Sequence, residues 1–158
     1  MAIGVHLGII MTADNNRFVI VIDDNISDIE LFKFAWSNAG YNKTDGIRDY
    51  TRVNEAISLF SSSMAPKHMV SGILVDLLLF DAAGSAVVDI ISGMSILRGI
   101  PVISRTGIDF GRHQTDRIRK SSTQVWTKPT KWMDWSIFVS RFYGVLNREV
   151  EYRDRANE

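Results

Sequence analysis

The chain contains no cysteine. That excludes disulfides, thiol nucleophiles and cysteine-ligated zinc, and it fits a cytoplasmic location. No apolar run approaches the roughly 20 residues needed to span a bilayer, so no membrane association is expected. Neither sign of charge dominates: the 158 residues include 18 Lys plus Arg and 18 Asp plus Glu. A balanced chain has no global field to attract nucleic acid or an anionic surface, and no DNA-binding motif is present. Repeats and low-complexity segments are absent. The histidines, His6, His68 and His113, lack the spacing of a metal site.

What is present is a set of short apolar runs, each ending in a polar group. Phe18 to Ile22 leads into Asp23-Asp24, and Ile73 to Val75 into Asp76. Ile100 to Ile103 leads into Ser104-Arg105-Thr106, and Val125 to Thr127 into Lys128-Pro129. Runs this short, rich in Val and Ile, predict buried parallel strands. Helical patterns alternate with them: Ile26 to Ala39, Val53 to Ser62, Ala86 to Leu97, a segment within Asp109 to Ser121, and Lys131 to Tyr152. A further strand is expected at Gly46 to Tyr50. The result is an α/β chain of five βα units. In the first helix Ser27 and Glu30 are spaced for a capping box, Ile29, Phe32 and Trp36 share a face, and Gly40 closes the helix. In the last helix Trp132, Trp135, Val139, Phe142 and Leu146 form a stripe for the sheet. Further aromatics widen that arc, either as generous burial or as a dimer or partner face.

Residues 1–16 are expected to form an N-terminal extension. Met1 to Met11 is apolar and lacks the basic start of a signal peptide. It is expected to be disordered or loosely docked, with an added strand or a dimer contact as the alternative. The main domain is expected over 17–152 and a short tail over 153–158.

In an open α/β sheet, ligands bind outside the carboxyl ends of the strands. Asp23, Asp24, Asp76, Thr106 and Lys128 should therefore converge there. Hard oxygen ligands suit Mg²⁺, which takes one or two carboxylates, waters and a phosphate. Unpaired carboxylates at one edge repel each other, a cost that a cation relieves. Thr106 lies 30 residues beyond Asp76, and Lys128 lies 22 beyond Thr106, each about one strand–helix repeat. Gly84 is placed for a tight turn before the third helix. Pro129 predicts a fixed peptide, cis being one form, that aims Lys128.

With these motifs the chain resembles the receiver domain of two-component response regulators over about residues 17 to 150. The resemblance rests on Val-Ile-Asp-Asp-Asn at 21 to 25, Ile-Leu-Val-Asp at 73 to 76, Ile-Pro-Val-Ile-Ser-Arg-Thr-Gly at 100 to 107, and Thr-Lys-Pro at 127 to 129. It implies a flavodoxin-like (CheY-like) five-stranded parallel sheet of order 2-1-3-4-5 with helices on both faces, an architecture this family itself exemplifies. It also implies roles. Asp76 would accept a phosphoryl group from a histidine kinase or histidine phosphotransfer protein. Asp24 would ligate Mg²⁺ directly and Asp23 directly or through water, joined by Asp76 and the backbone carbonyl of Leu78. Thr106 and Lys128 would contact the phosphoryl oxygens. With few residues after the last helix, a stand-alone receiver is expected. Its output would be a homodimer, a docked protein target or onward phosphoryl relay.

Three departures from the family pattern stand out. Leu78 and Ile108 occupy the positions that flank the hydrolytic water, and neither can orient it, which predicts a long-lived acyl phosphate. Phe80 replaces the usual proline after the acceptor. Val125 replaces the usual switch aromatic, and Trp126 should face the opposite side by strand alternation. The main alternative function is a receiver-like interaction module that is never phosphorylated. An aspartyl-phosphate hydrolase is disfavoured because Leu78 stands where its second Asp would be. A dinucleotide enzyme is disfavoured because no glycine-rich loop follows the first strand.

Overall fold

The computed structural model describes residues 17–61, 69–79, 84–93, 99–107, 116 and 124–156. Several expectations fall outside them: the N-terminal extension, His6, His68, His113, Phe80, Ile108 and, apart from residue 116, the fourth predicted helix. The elements run β1 (Phe18–Ile22), α1 (Ile26–Asn38), a 3₁₀ turn (Tyr41–Lys43), β2 (Gly46–Tyr50), α2 (Val53–Ser61), β3 (Val70–Asp76), α3 (Gly84–Gly93), β4 (Val102–Thr106), β5 (Gln124–Thr127) and α4 (Trp132–Ala156). The five strands form one sheet of order β2-β1-β3-β4-β5, and each neighbouring pair is parallel.

β1, β3 and β4 are buried along their whole length, which is why their apolar stretches, Phe18 to Ile22, Ile73 to Val75 and Val102 to Ile103, are unbroken rather than alternating. Alternate side chains of β1 go to opposite layers. Phe18, Ile20 and Ile22 pack with Val53 and Ala56 of α2 and Val88 and Ile91 of α3. Val19 and Val21 pack with Ile29, Phe32 and Trp36 of α1 and with Trp135, Val139, Phe142 and Leu146 of α4. Burying each such side chain contributes roughly 1.5–3 kcal/mol. The two layers clamp the strands and fix where their carboxyl ends lie.

Close approach of α4 to β3 depends on Gly72, where a Cβ would overlap Leu146 Cδ2 and also meet Pro101 at 3.5 Å. At the opposite end of the sheet, the β1–β3 register skips Ser71. Its hydroxyl donates to buried Asp45, which also pairs with Arg17 at 3.1 Å.

Several local expectations are corrected. The α1 cap is Asn25, whose side chain accepts from the Ser27 N–H at 3.0 Å, so Ser27 lies inside the first turn and the capping box does not form. A side-chain acceptor at this position is worth about 1 kcal/mol. Gly40, with φ of 79°, does end the helix. Gly84 is the first residue of α3 rather than a turn before it. The Lys128–Pro129 peptide is trans. α4 continues to Ala156, past Tyr152.

The wide aromatic arc of α4 is mostly core. Trp135, Phe138, Val139, Phe142, Val145 and Leu146 are buried, and Tyr143 stacks on Tyr41 with ring centroids 3.9 Å apart. Trp132 is the exception: it is 46% exposed and lies against Phe34 of α1 at 4.9 Å. Its place is one turn too early on the helix to reach the sheet. No helix among the described residues is long and apolar enough to cross a membrane.

Candidate functional site

β1 and β3 are neighbours, and each ends in an acid at the same edge of the sheet. Asp23 follows β1, its N–H donating to the Tyr50 carbonyl at 3.1 Å. Asp76 is the last residue of β3 and sits beside Arg105 of β4. Lys128 follows β5, and its backbone N–H donates to the Thr106 carbonyl at 2.8 Å. Strand pairing alone thus delivers residues distant in sequence to one crevice.

The Lys128 ammonium is the hub. It lies 2.5 Å from Asp76, 2.6 Å from Asp28 and 3.2 Å from Asp23. Burial pushes the ammonium down, but hydrogen bonds to Asp28 and Asp76 and the charges of Asp23 and Asp76 outweigh it and hold Lys128 above its ordinary value. Asp76 is almost fully buried. Burial holds its carboxyl above the usual range and the Asp23 charge adds to this, against the hydrogen bonds from Lys128 and from the Leu78 N–H at 2.8 Å.

A cavity of about 790 Å³ opens above these groups, lined by Asp24, Asn25, Ile26, Ser27, Asp76, Leu78, Leu79, Gly107 and Lys128. Asp23 is completely buried and is not among those described wall residues. Its Oδ1 accepts from the Asn25 N–H at 2.8 Å, and its Oδ2 is paired with both Arg105 and Lys128. Thr106 is also buried, while its neighbour Gly107 reaches the wall. Leu78 is 47% exposed at the mouth. Among the described residues, no group of three or more His, Cys, Asp or Glu side chains is arranged to hold a metal ion. The wall offers two carboxylates, Asp24 and Asp76. That donor set fits Mg²⁺, which is commonly held by one or two carboxylates with water and phosphate completing the shell.

Two participants were not assigned roles from sequence. Asp28, in the first turn of α1, reaches Lys128. Arg105, fully buried in β4, pairs with Asp23 and lies over the Trp135 ring at 5.3 Å. An arginine just after the apolar run Ile100 to Ile103, at the end of a predicted buried strand, was the available signal, because a buried guanidinium requires a partner. Strand alternation holds as expected at β5. Val125 packs with the α2/α3 layer, and Trp126 with the α1/α4 layer, against Phe138 at 5.3 Å.

The fold has counterparts among solved structures. A phosphorylated cyanobacterial phytochrome response regulator, RcpA, is similar with a TM-score of 0.69 and 18% identity over 80% of this chain and 90% of that one. The signal receiver domain of a putative Luxo repressor protein from Vibrio parahaemolyticus is similar with a TM-score of 0.66 and 21% identity, over 90% and 98%. The Mn²⁺-bound form of response regulator Rcp1 is similar with a TM-score of 0.64 and 18% identity, over 78% and 88%. No protein-family model matches the chain, and no curated protein matches it in sequence. The chain therefore has the CheY-like receiver fold, established by shape at low sequence identity.

The Asp76 environment generates a stability prediction. The folded chain holds the Asp76 proton more tightly than the unfolded chain. Its contribution therefore favours the fold at low pH and is lost as pH rises through the raised value. Asp76→Asn should melt at a higher temperature than wild type at pH 7 in metal-free buffer. The gap should close as pH falls toward the ordinary carboxylate value of 3.8. Thermal melts between pH 4 and 8 check this; an Asn variant no more stable at pH 7 would contradict it.

Proposed function

We propose that this protein is a phosphoacceptor receiver of two-component signalling. A carboxylate oxygen of Asp76 attacks the phosphorus of a phosphohistidine on a histidine kinase or phosphotransfer protein. The P–N bond breaks, the imidazole leaves, and an acyl phosphate forms on Asp76. The observation that carries this reading is the Lys128 ammonium 2.5 Å from Asp76, beside a cavity lined by Asp24 and Leu78. Phosphoryl transfer asks a protein for positioning and charge neutralisation more than for covalent chemistry, and an aspartate is an established nucleophile for it.

Asp24 and Asp76, with the backbone carbonyl of Leu78, would hold Mg²⁺. When bound, the cation neutralises charge on the transferring oxygens. The Mn²⁺ in the similar Rcp1 structure supports a divalent cation of this kind. Lys128 already faces the acceptor oxygen and stays with the charge after transfer. Thr106 would bond a phosphoryl oxygen after a shift of the β4 end. The signal would leave through a changed surface around β5 and α4, read by a downstream protein target or a second copy of the chain. The setting is cytoplasmic, and neither nucleic acid nor membrane takes part.

Beryllofluoride mimics an aspartyl phosphate and needs no cognate kinase. Added with Mg²⁺, it should produce a saturable change in tryptophan fluorescence and NMR shifts in wild type and none in Asp76→Asn. Silence in both proteins would instead favour an interaction module that is never phosphorylated.

The exposed apolar Leu78 cannot hold the water that would hydrolyse the acyl phosphate. Leu78→Asn should therefore speed phosphate release from the purified phosphoprotein about fivefold, the rate equivalent of one hydrogen bond of about 1 kcal/mol. An unchanged, already fast release would contradict this.

A further inference from the structure

The acid pair after β1 is split by Arg105. Asp24 lines the cavity, whereas Asp23 is fully buried and both its oxygens are engaged. One takes the Asn25 N–H at 2.8 Å. The other is paired with the Arg105 guanidinium through Nη2 and, at 3.2 Å, with Lys128. Arg105 is itself fully buried, sits in β4 directly before Thr106, and packs over the Trp135 ring of α4. Its Nε and Nη1 have no hydrogen-bond partner among the described residues, so Asp23 is the one carboxylate shown to balance its charge there, beside the Trp135 ring. A buried guanidinium whose carboxylate was taken by a metal ion would be left as an uncompensated charge in the core. It would also stand close to a divalent cation of the same sign.

We infer that Arg105 is a positioning residue that withdraws Asp23 from the metal-ligand set, so that a divalent cation is held by Asp24 and Asp76 alone among the carboxylates. This deepens the phosphoacceptor reading and rests on it. Two consequences follow. Metal affinity is set low by a fixed internal cation that does part of the charge neutralisation. The acidic pair is also not interchangeable: Asp24 serves the cation, and Asp23 serves Arg105 and Lys128.

The test is direct Mn²⁺ binding, read from the electron paramagnetic resonance signal of the free ion, on the full chain with Asp23→Asn and Arg105→Met singly and together. Arg105→Met should tighten Mn²⁺ binding on the order of tenfold, the usual size of effect when the partner of a metal ligand is changed. Asp23→Asn should cost less than about threefold in wild type but roughly tenfold in the Arg105→Met background, because only there can Asp23 reach the ion. Equal costs in both backgrounds would overturn the inference and leave the phosphoacceptor reading standing. If Arg105→Met does not fold, Asp23→Asn is compared with Asp24→Asn in wild type. A much larger loss for Asp24→Asn supports the division of labour, and equal losses overturn it. Absence of saturable Mn²⁺ binding in every protein, wild type included, would overturn the metal-dependent reading and this inference with it.

Discussion

Carboxylates crowd the carboxyl edge of this sheet, and the Lys128 ammonium makes their proximity tolerable. It touches Asp23, Asp28 and Asp76 within 3.2 Å, while Asp24 faces the same cavity. Like charges this close repel, and without the ammonium that repulsion would push the strand ends apart. Taking the ammonium partly out of water costs desolvation, but several carboxylate partners offset it, which is why Lys128 stays charged beside the buried Asp76. Arg105 performs the same service one layer deeper. Two fixed cations thus hold an acidic crevice together and leave one face open to solvent.

The rest of the fold serves that edge. Parallel strands buried on both sides cannot slide without exposing a row of apolar groups, so register is rigid. The α1/α4 layer contributes more than packing. Asn25 caps α1 and donates its own N–H to Asp23. Asp28 in that helix reaches Lys128, and Trp135 of α4 lies under Arg105. Charge at the crevice is therefore in physical contact with two helices. Any change in how Asp23, Asp28 and Lys128 share their interactions is felt directly by α1 and α4, a short route from the crevice to the surface.

Much of this was legible in the sequence. Continuous apolar runs marked the central strands, and even the half-exposed β2 was placed at Gly46 to Tyr50. Spacing of one strand–helix repeat put Asp76, Thr106 and Lys128 at a common edge. Less legible were features decided by three-dimensional neighbours. Asn25 is the cap rather than Ser27, its backbone N–H held by Asp23 while its side chain accepts from the Ser27 N–H. Trp132 fitted the helical stripe but starts the helix beyond the end of the sheet, so it pairs with Phe34 instead. Asp24 was expected to ligate the cation directly and Asp23 directly or through water, but that Asp23 is buried away from the cavity wall is decided by strand geometry. Arg105 could be read as part of a motif but not as the partner of Asp23, because that contact joins residues 82 apart.

The central claim is that Asp76, and not one of the acids around it, carries the phosphoryl group. The most direct measurement is to incubate the protein with a small phosphodonor such as acetyl phosphate and Mg²⁺, trap the acyl phosphate by borohydride reduction, and locate the modified residue by peptide mass spectrometry. The account predicts reduction of an aspartyl phosphate to homoserine at position 76 alone, dependent on Mg²⁺. An unmodified chain, or modification at Asp23, Asp24 or Asp28 instead, would contradict it.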